Sequence, residues 1–301
     1  MTVQDSQTKT IHEFLAENPD VDVTETHRQL YGILGELKDC VMAEIPGLEP
    51  QTASAGLDYW ANQKPNADTG EMETTFEGSM QTWTGPHAEH VAHSWIGNRK
   101  ASILDMNLQV FLSQETDVPH LVMVFGTIPQ IFYYSELVAR RDIRVDVDYL
   151  TKYYDAENEA FLKLRGDNHF EWSVSHGTYM RALNGPNAHS YTAKLGSEAE
   201  VIPILREAAN ARFNTWLGWW KEGMKNPLPE SGRNELMERD HLLRRYGYEL
   251  DPMNKISENF LGIPRVKELL DVRVGREQIR QAEAAAGIDT LSIPPVAYQD
   301  A

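Results

Sequence analysis

Polar side chains alternate with apolar residues along one segment of the chain and form the first candidate for chemistry. Asp105, Asn107 and Gln109 occupy every second position between residues 103 and 112, which is typical of a half-buried strand. The three side chains therefore share one face and offer a ligand both hydrogen-bond donors and acceptors. We predict that this face lines a pocket, with Asp105 in the chemistry and Asn107 and Gln109 as substrate contacts; a solvated strand face is the alternative.

Histidines with regular spacing provide a second candidate. His87, His90 and His93 are three residues apart, but on a strand the middle ring faces away from the other two, and on a helix the outer rings diverge. No carboxylate completes a ligand set, so we predict no metal site. His93 is instead a candidate acid or base near neutral pH, and His120 and His176 are weaker candidates that would contact a substrate.

Asp251 precedes Pro252 at the start of a helical pattern. Aspartate at the N-cap with proline after it is a common way to begin a helix, so a cap is the simplest interpretation of this residue alone.

Three tryptophans, Trp216, Trp219 and Trp220, are assigned mainly to the core, with a pocket wall as a further role. The sequence contains no Walker A, GxGxxG, GxSxG or HExxH motif, so neither a nucleotide cofactor nor a serine hydrolase has support.

Composition limits the class of protein. An apolar share of 41% is enough for a sizeable core, while a formal net charge of −17 opposes binding to nucleic acid and to anionic membranes. The sequence lacks any run of 18 apolar residues and any apolar leader. The single cysteine, Cys40, excludes an internal disulfide and is expected to be buried. We therefore expect a cytoplasmic protein.

Hydrophobic periodicity predicts an α+β fold. Apolar residues at helical spacing begin at Thr24 and end before Pro46, and strands follow before helices return from Glu198. Strands in a block with helices at both ends indicate an α/β/α sandwich with a central antiparallel sheet. The predicted organisation is a polar arm (1–23), one domain (24–272) and a C-terminal extension (273–301) that either wraps a partner in a homodimer or frays. Other predicted elements are a hairpin (121–125 and 131–134), a helix (147–164), strands (179–183 and 189–193) and helices (233–246 and 252–270).

Short motifs in a fixed order carry a family resemblance. They are Ser94-Trp95-Ile96, Phe111-Leu112, Arg141-Asp142-Ile143, Asp148-Tyr149-Leu150, Tyr153-Tyr154, Tyr179 with Arg181 and Pro186, Trp216-Leu217, Glu238-Arg239, Arg244-Arg245 and Glu249 with Asp251. In order and spacing, over roughly residues 93 to 270, the chain resembles the red chlorophyll catabolite reductases, which are relatives of the ferredoxin-dependent bilin reductases. The resemblance implies an α/β/α sandwich that holds an open-chain tetrapyrrole between the sheet and the C-terminal helices.

The resemblance also implies a mechanism and its residues. Members of the family take electrons from ferredoxin and protonate the substrate with acidic side chains, without a tightly bound metal or flavin. Asp251 corresponds to one of these acids, whereas Val124 stands where the other is expected. Because valine donates no proton, the family mechanism cannot run unchanged. Arg181 and Trp216 match family positions that are expected to contact substrate, together with Val124.

Three functions stay open at this point. An oxidoreductase acting on a conjugated nitrogen heterocycle would use either ferredoxin-fed reduction of a linear tetrapyrrole or cofactor-independent oxygenation of an indole-type ring by O₂. The third hypothesis is a non-catalytic protein that binds a heterocycle. Ferredoxins are acidic, so docking needs a basic patch on this acidic chain. The candidates are Arg140 with Arg141 and Arg239 with Arg244 and Arg245, although ion pairs explain these residues equally well.

Overall fold

A nine-stranded antiparallel sheet is the centre of the fold in the computed structural model, which describes residues 21–293 apart from 129, 176–177 and 252. Its strand order is β1-β3-β4-β5-β6-β7-β9-β8, and β2 pairs with β3 beside this path. The strands are β1 (Glu49–Pro50), β2 (Trp60–Pro65), β3 (Met72–Thr84), β4 (Ala88–Asn98), β5 (Ile103–Leu112), β6 (His120–Thr127), β7 (Ile131–Val138), β8 (Glu171–Trp172) and β9 (His189–Ala193).

Helices cover both faces of this sheet, which confirms the predicted α/β/α sandwich. They are α1 (Thr24–Glu44), α2 (Val147–Tyr153), α3 (Asn158–Arg165), α4 (Thr178–Leu183), α5 (Glu198–Gly223), α6 (Arg233–Glu249), α7 (Asn254–Leu261), α8 (Ile263–Val274) and α9 (Arg276–Ala286). Within the described residues, no helix combines the length and the apolar character needed to cross a membrane.

Apolar packing holds α1 and α5 on the first face of the sheet. Leu30 and Leu34 of α1 and Phe213 of α5 are fully buried in one cluster with Leu108 and Met123 of the central strands. Burial of side chains of this size stabilises the fold by about 1.5–3 kcal/mol each. The helical periodicity from Thr24 therefore places α1 correctly, although Cys40, which was expected to be buried, is exposed on it.

Helices α6 to α9 cover the second face, and α9 belongs to the same packed body. At the junction of α8 and α9, Gly275 adopts φ +69°, and a Cβ there would lie 2.6 Å from the imidazole Nδ1 of His90. Glu283 of α9 accepts a hydrogen bond from His241 of α6 at 2.8 Å. The segment from Arg273 to Ile293 thus packs against β4 and α6, whereas residues 1–20 and 294–301 lie outside the described part.

Three local predictions differ from the structure. Residues 179–183 were predicted as a strand, but they lie in helix α4, because a segment of only six residues does not distinguish the two periods. The single helix predicted over 252–270 is divided into α7 and α8 at Gly262. The single helix predicted over 147–164 is divided into α2 and α3 by a 3-10 turn at Asp155–Glu157. The strand at His189–Ala193 is confirmed, and it pairs with β7.

Charged groups are buried where α6 meets the N-terminal end of β6. Asp240 accepts hydrogen bonds from Arg140 at 2.6 Å and lies 3.2 Å from Nε2 of His120. Burial alone would raise the pKa of Asp240, but Arg140 and His120 hold it below its ordinary value. Arg140 also donates to the carbonyl oxygens of Ser113 and Thr116, so it joins α6 to the loop before β6.

Substitution of Asp240 by asparagine is expected to lower the free energy of unfolding by about 3–5 kcal/mol, because it leaves the guanidinium of Arg140 buried without a counter-ion. Urea denaturation measures this loss. Asp142→Asn is the matched control, since its partner Arg144 is exposed and the pair is screened by solvent. Equal stability losses in the two variants would contradict the role assigned to Asp240.

Candidate functional site

A cavity of about 320 Å³ lies between the second face of the sheet and the C-terminal helices. Its floor comes from β3 to β7 and β9, its roof from α6 to α8, and one side from α4 and the segment before it. This volume falls at the small end of the range for ligand pockets. The alternation of each strand decides which side chains reach it, since only every second residue points to this face.

Two members of the predicted polar row line the cavity. Asn107 donates a hydrogen bond to Asp105 at 2.7 Å, and Arg273 of α8 donates to the same carboxylate oxygen at 3.2 Å. These contacts fix the Asp105 carboxylate on the floor. Gln109 continues the row and donates weakly to Asn107 at 3.4 Å, but it is fully buried and does not line the cavity.

Asp251 lies in the cavity wall between α6 and α7. Its Oδ1 accepts a hydrogen bond from the backbone N–H of Met253 at 2.9 Å, which stabilises the turn before α7. The same carboxyl group also lines the cavity. Burial raises the pKa of Asp251 to about 6; the charge of Asp105 acts in the same direction, while the Met253 N–H and Arg273 oppose the rise. A carboxyl group of this kind carries its proton at mildly acidic pH and can donate it.

Glu136 is a second buried acid in the cavity and was missed from the sequence. It lies on β7, where Phe132, Tyr134 and Glu136 alternate on the cavity face. Burial raises its pKa to about 8, against the influence of Arg212 and of the backbone N–H of Gly185. Two features of the sequence could have located Glu136. Every second residue of β7 faces the cavity, and in the β6–β7 hairpin Glu136 pairs with the cavity-facing Val122.

Apolar and aromatic side chains form the rest of the site. Val124 is 8% exposed and packs in one cluster with Phe111 and Val122, against the rings of Phe132 and Tyr248. Tyr134 donates a hydrogen bond to Asn184 at 2.8 Å. These walls suit a flat conjugated ligand, since rings stack on apolar and aromatic surfaces.

The predicted histidines do not meet in the cavity. His93 lies on the first face, where its ring stacks on Tyr31 of α1 and burial lowers its pKa to about 4. His120 is fully buried beside Asp240, and its Nδ1 accepts the Leu112 N–H at 3.0 Å. The site that we propose therefore includes neither His93 nor His120. The third candidate, His176, lies outside the described residues. Within the described ranges, no group of three or more His, Cys, Asp or Glu side chains is placed to hold a metal ion.

Other predicted residues also lie away from the cavity. Trp216 is fully buried on α5, on the first face of the sheet, and donates to the carbonyl of Pro119 at 2.8 Å. Arg181 is exposed on α4 and donates to the Ser175 carbonyl at 2.8 Å. The predicted basic patches are not free surface, because Arg140, Arg244 and Arg245 are buried in ion pairs.

Comparisons with known proteins agree with this architecture. The model of the family described as "Red chlorophyll catabolite reductase (RCC reductase)" matches residues 36–261. Red chlorophyll catabolite reductase 1, chloroplastic, of Oryza sativa subsp. japonica is 27% identical over 167 residues. That match covers 51% of this chain and 50% of the rice protein, so the chain spans about half the length of this curated relative.

A solved structure shares the fold. Phytochromobilin synthase from tomato, in complex with biliverdin, has a TM-score of 0.63 at 15% identity, with 85% of this chain and 84% of that chain covered. At this identity the likeness shows the fold alone. The family model, by contrast, matches more than half of the chain, and this protein therefore belongs to the red chlorophyll catabolite reductase family.

Proposed function

We propose that this protein is an oxidoreductase that reduces an open-chain tetrapyrrole in the cavity between the sheet and the C-terminal helices. The observation that carries the proposal is the half-buried Asp251 carboxyl in the cavity wall, whose pKa is raised to about 6. A group of this kind can protonate a substrate while electrons arrive. Membership of the reductase family, and a fold shared with a biliverdin-bound synthase, support the substrate class.

The cavity offers a tetrapyrrole complementary contacts. Pyrrole N–H groups are hydrogen-bond donors, and the Asp105 carboxylate on the floor is an acceptor held in place by Asn107 and Arg273. The conjugated rings would lie against Val124, Phe132 and Tyr248. Because these apolar side chains exclude water, they strengthen each polar contact inside the site.

Electrons enter from outside the chain in this proposal. Reduction of one double bond takes up two electrons and two protons, and ferredoxin is the single-electron donor that the family resemblance implies. The basic patches considered from the sequence do not provide its docking surface, because most of their arginines are buried in ion pairs. Oxygenation of an indole-type ring has no support from the family or from the related structure, and we do not propose it.

Reduction can be tested by mixing the purified protein with biliverdin or red chlorophyll catabolite under anaerobic conditions. A ferredoxin and its reductase supply electrons, and the absorption spectrum follows loss of the conjugated substrate. We expect turnover only with the electron donor. In a parallel aerobic arm, oxygen uptake without a donor would point to oxygenation. Tight binding without turnover in any arm would leave a binding protein, and either result contradicts the proposal.

The Asp251→Asn variant is expected to lose about 10²–10⁴-fold in the rate of reduction, the usual contribution of a positioned acid. Asparagine keeps the oxygen that accepts the Met253 N–H, so the turn before α7 and tetrapyrrole binding should persist. Stopped-flow absorbance measures the rate, and a visible titration measures binding. Asp39→Asn, at an exposed position of α1, is the matched control. An Asp251→Asn variant as fast as this control would exclude Asp251 as the proton donor.

Activity of the wild-type protein is expected to decline as pH rises above about 6. The donor must be protonated, and the protonated fraction of a group with a pKa of about 6 falls roughly tenfold for each pH unit above that value. The rate at saturating substrate, measured from pH 5 to 9, checks this profile. A rate that rises over the same range would mean that Asp251 acts as a base.

A further inference from the structure

Glu136 lines the cavity, but the proposed reduction assigns proton transfer only to Asp251. The Oε1 of Glu136 accepts the backbone N–H of Gly185 at 3.1 Å, while its Oε2 is buried and has no hydrogen-bond partner among the residues that the structure describes. A buried polar atom without a partner is costly. The carboxyl group lines the cavity, so a bound ligand is positioned to meet the unsatisfied oxygen.

The loop after α4 fixes this carboxyl group from behind. A Cβ at position 185 would lie 2.7 Å from the ring of Tyr154 and 3.0 Å from Oε1 of Glu136. Only glycine therefore lets the backbone approach the carboxyl so closely. The Gly185 N–H holds one oxygen in place, and this leaves the second oxygen for the cavity.

The position of Glu136 is close to the place where an acid is missing. In the β6–β7 hairpin, Val124 pairs with Tyr134 and Val122 pairs with Glu136. Glu136 is therefore the diagonal neighbour of Val124 across the two strands, at a typical separation of about 7–8 Å. Tyr134 lines the same cavity as the two acids, and the charges of both Glu136 and Asp251 add to the effect of burial in raising its pKa.

The surroundings keep Glu136 protonated at neutral pH. Burial raises its pKa to about 8. The charged and titratable groups that face it are Arg212 of α5, which opposes the rise, Tyr154 after α2 and Tyr134 on its own strand. Both tyrosines have pKa values raised by burial, so they are neutral over the same range.

We propose that Glu136 is the second proton donor of this cavity and works together with Asp251. The inference rests on the proposed reduction of a tetrapyrrole. An external iron–sulfur donor passes one electron to the substrate, and the O–H bond of one carboxyl breaks as a bond from hydrogen to the substrate forms. A second electron from the donor and a proton from the other carboxyl complete the dihydro product. Each donor molecule is oxidised by one electron, and solvent returns both protons to the carboxylates.

Single-turnover reduction of the Glu136→Gln variant tests this assignment. Glutamine keeps an oxygen for the Gly185 N–H but donates no acidic proton, so we expect the rate to fall about 10²–10⁴-fold while affinity for biliverdin is unchanged. A one-electron-reduced substrate should accumulate, detected by its absorbance and its paramagnetic resonance signal. The matched control is Glu157→Gln, a buried glutamate near Arg212 that does not line the cavity.

Each outcome decides between the two proposals. If the wild-type protein and Glu157→Gln reduce biliverdin and Glu136→Gln matches them, Glu136 is not a donor while the reductase assignment stands. Loss of biliverdin binding in Glu136→Gln would make the residue a binding group and would also overturn the assignment. If the wild-type protein itself does not reduce a tetrapyrrole, the proposed function fails, and the assignment of Glu136 fails with it.

A stability measurement tests the protonation of Glu136 without any activity. A carboxyl whose folded pKa is raised contributes stability that is complete below its ordinary value of 4.5 and is lost as pH rises to about 8. The urea midpoint of the wild-type protein should therefore fall relative to that of Glu136→Gln between pH 5 and pH 9. A constant difference over this range would show that Glu136 is already ionised at pH 5 and could not serve as the donor.

Discussion

Buried charges hold α6 on the sheet, and the cavity beneath it depends on them. The four buried residues of this helix are Asp240, His241, Arg244 and Arg245. Both ring nitrogens of His241 lie 2.8 Å from glutamate oxygens, one from Glu89 of β4 and one from Glu283 of α9. Together with the Arg244–Glu89 ion pair at 2.9 Å, these contacts join α6 to β4 and to α9 through charged partners. Removal of one partner from such a system leaves an uncompensated charge.

This way of attaching a roof helix explains why a cavity exists. On the first face, α1 and α5 pack on the sheet through apolar side chains that fill the space between the layers. On the second face, α6 is attached through Asp240, His241 and Arg244 to charged partners, so an enclosed space remains between this helix and the centre of the sheet. Carboxyl groups that face this enclosed space lose contact with water, which raises the pKa values of Asp251 and Glu136.

The sequence predicts the apolar parts of the fold better than the site. Periodicity located α1, β5 and the β6–β7 hairpin because apolar burial imposes a period of 3.6 or 2. Asp105, Asn107 and Asp251 were placed on the cavity through alternation and family resemblance. For the arginines of α6, the sequence left a basic docking patch and ion pairs as equal alternatives, since nothing in the local sequence distinguishes a buried ion pair from a solvated one. His93 was misplaced because its face depends on the strand register relative to α1, which only the tertiary structure reveals.

Under the proposed mechanism, the pair Val124 and Glu136 lets the site keep its chemistry although one acidic residue occupies a different position in the sequence. A cavity requires a proton donor at a point in space, and two neighbouring strands of an antiparallel sheet reach nearly the same point from different positions in sequence. The family resemblance implies that, position by position, the chain lacks one acid at Val124. In three dimensions, the Glu136 carboxyl lies on the next strand, where the Gly185 N–H holds it and burial raises its pKa. Valine at position 124 is part of the apolar wall of the same cavity.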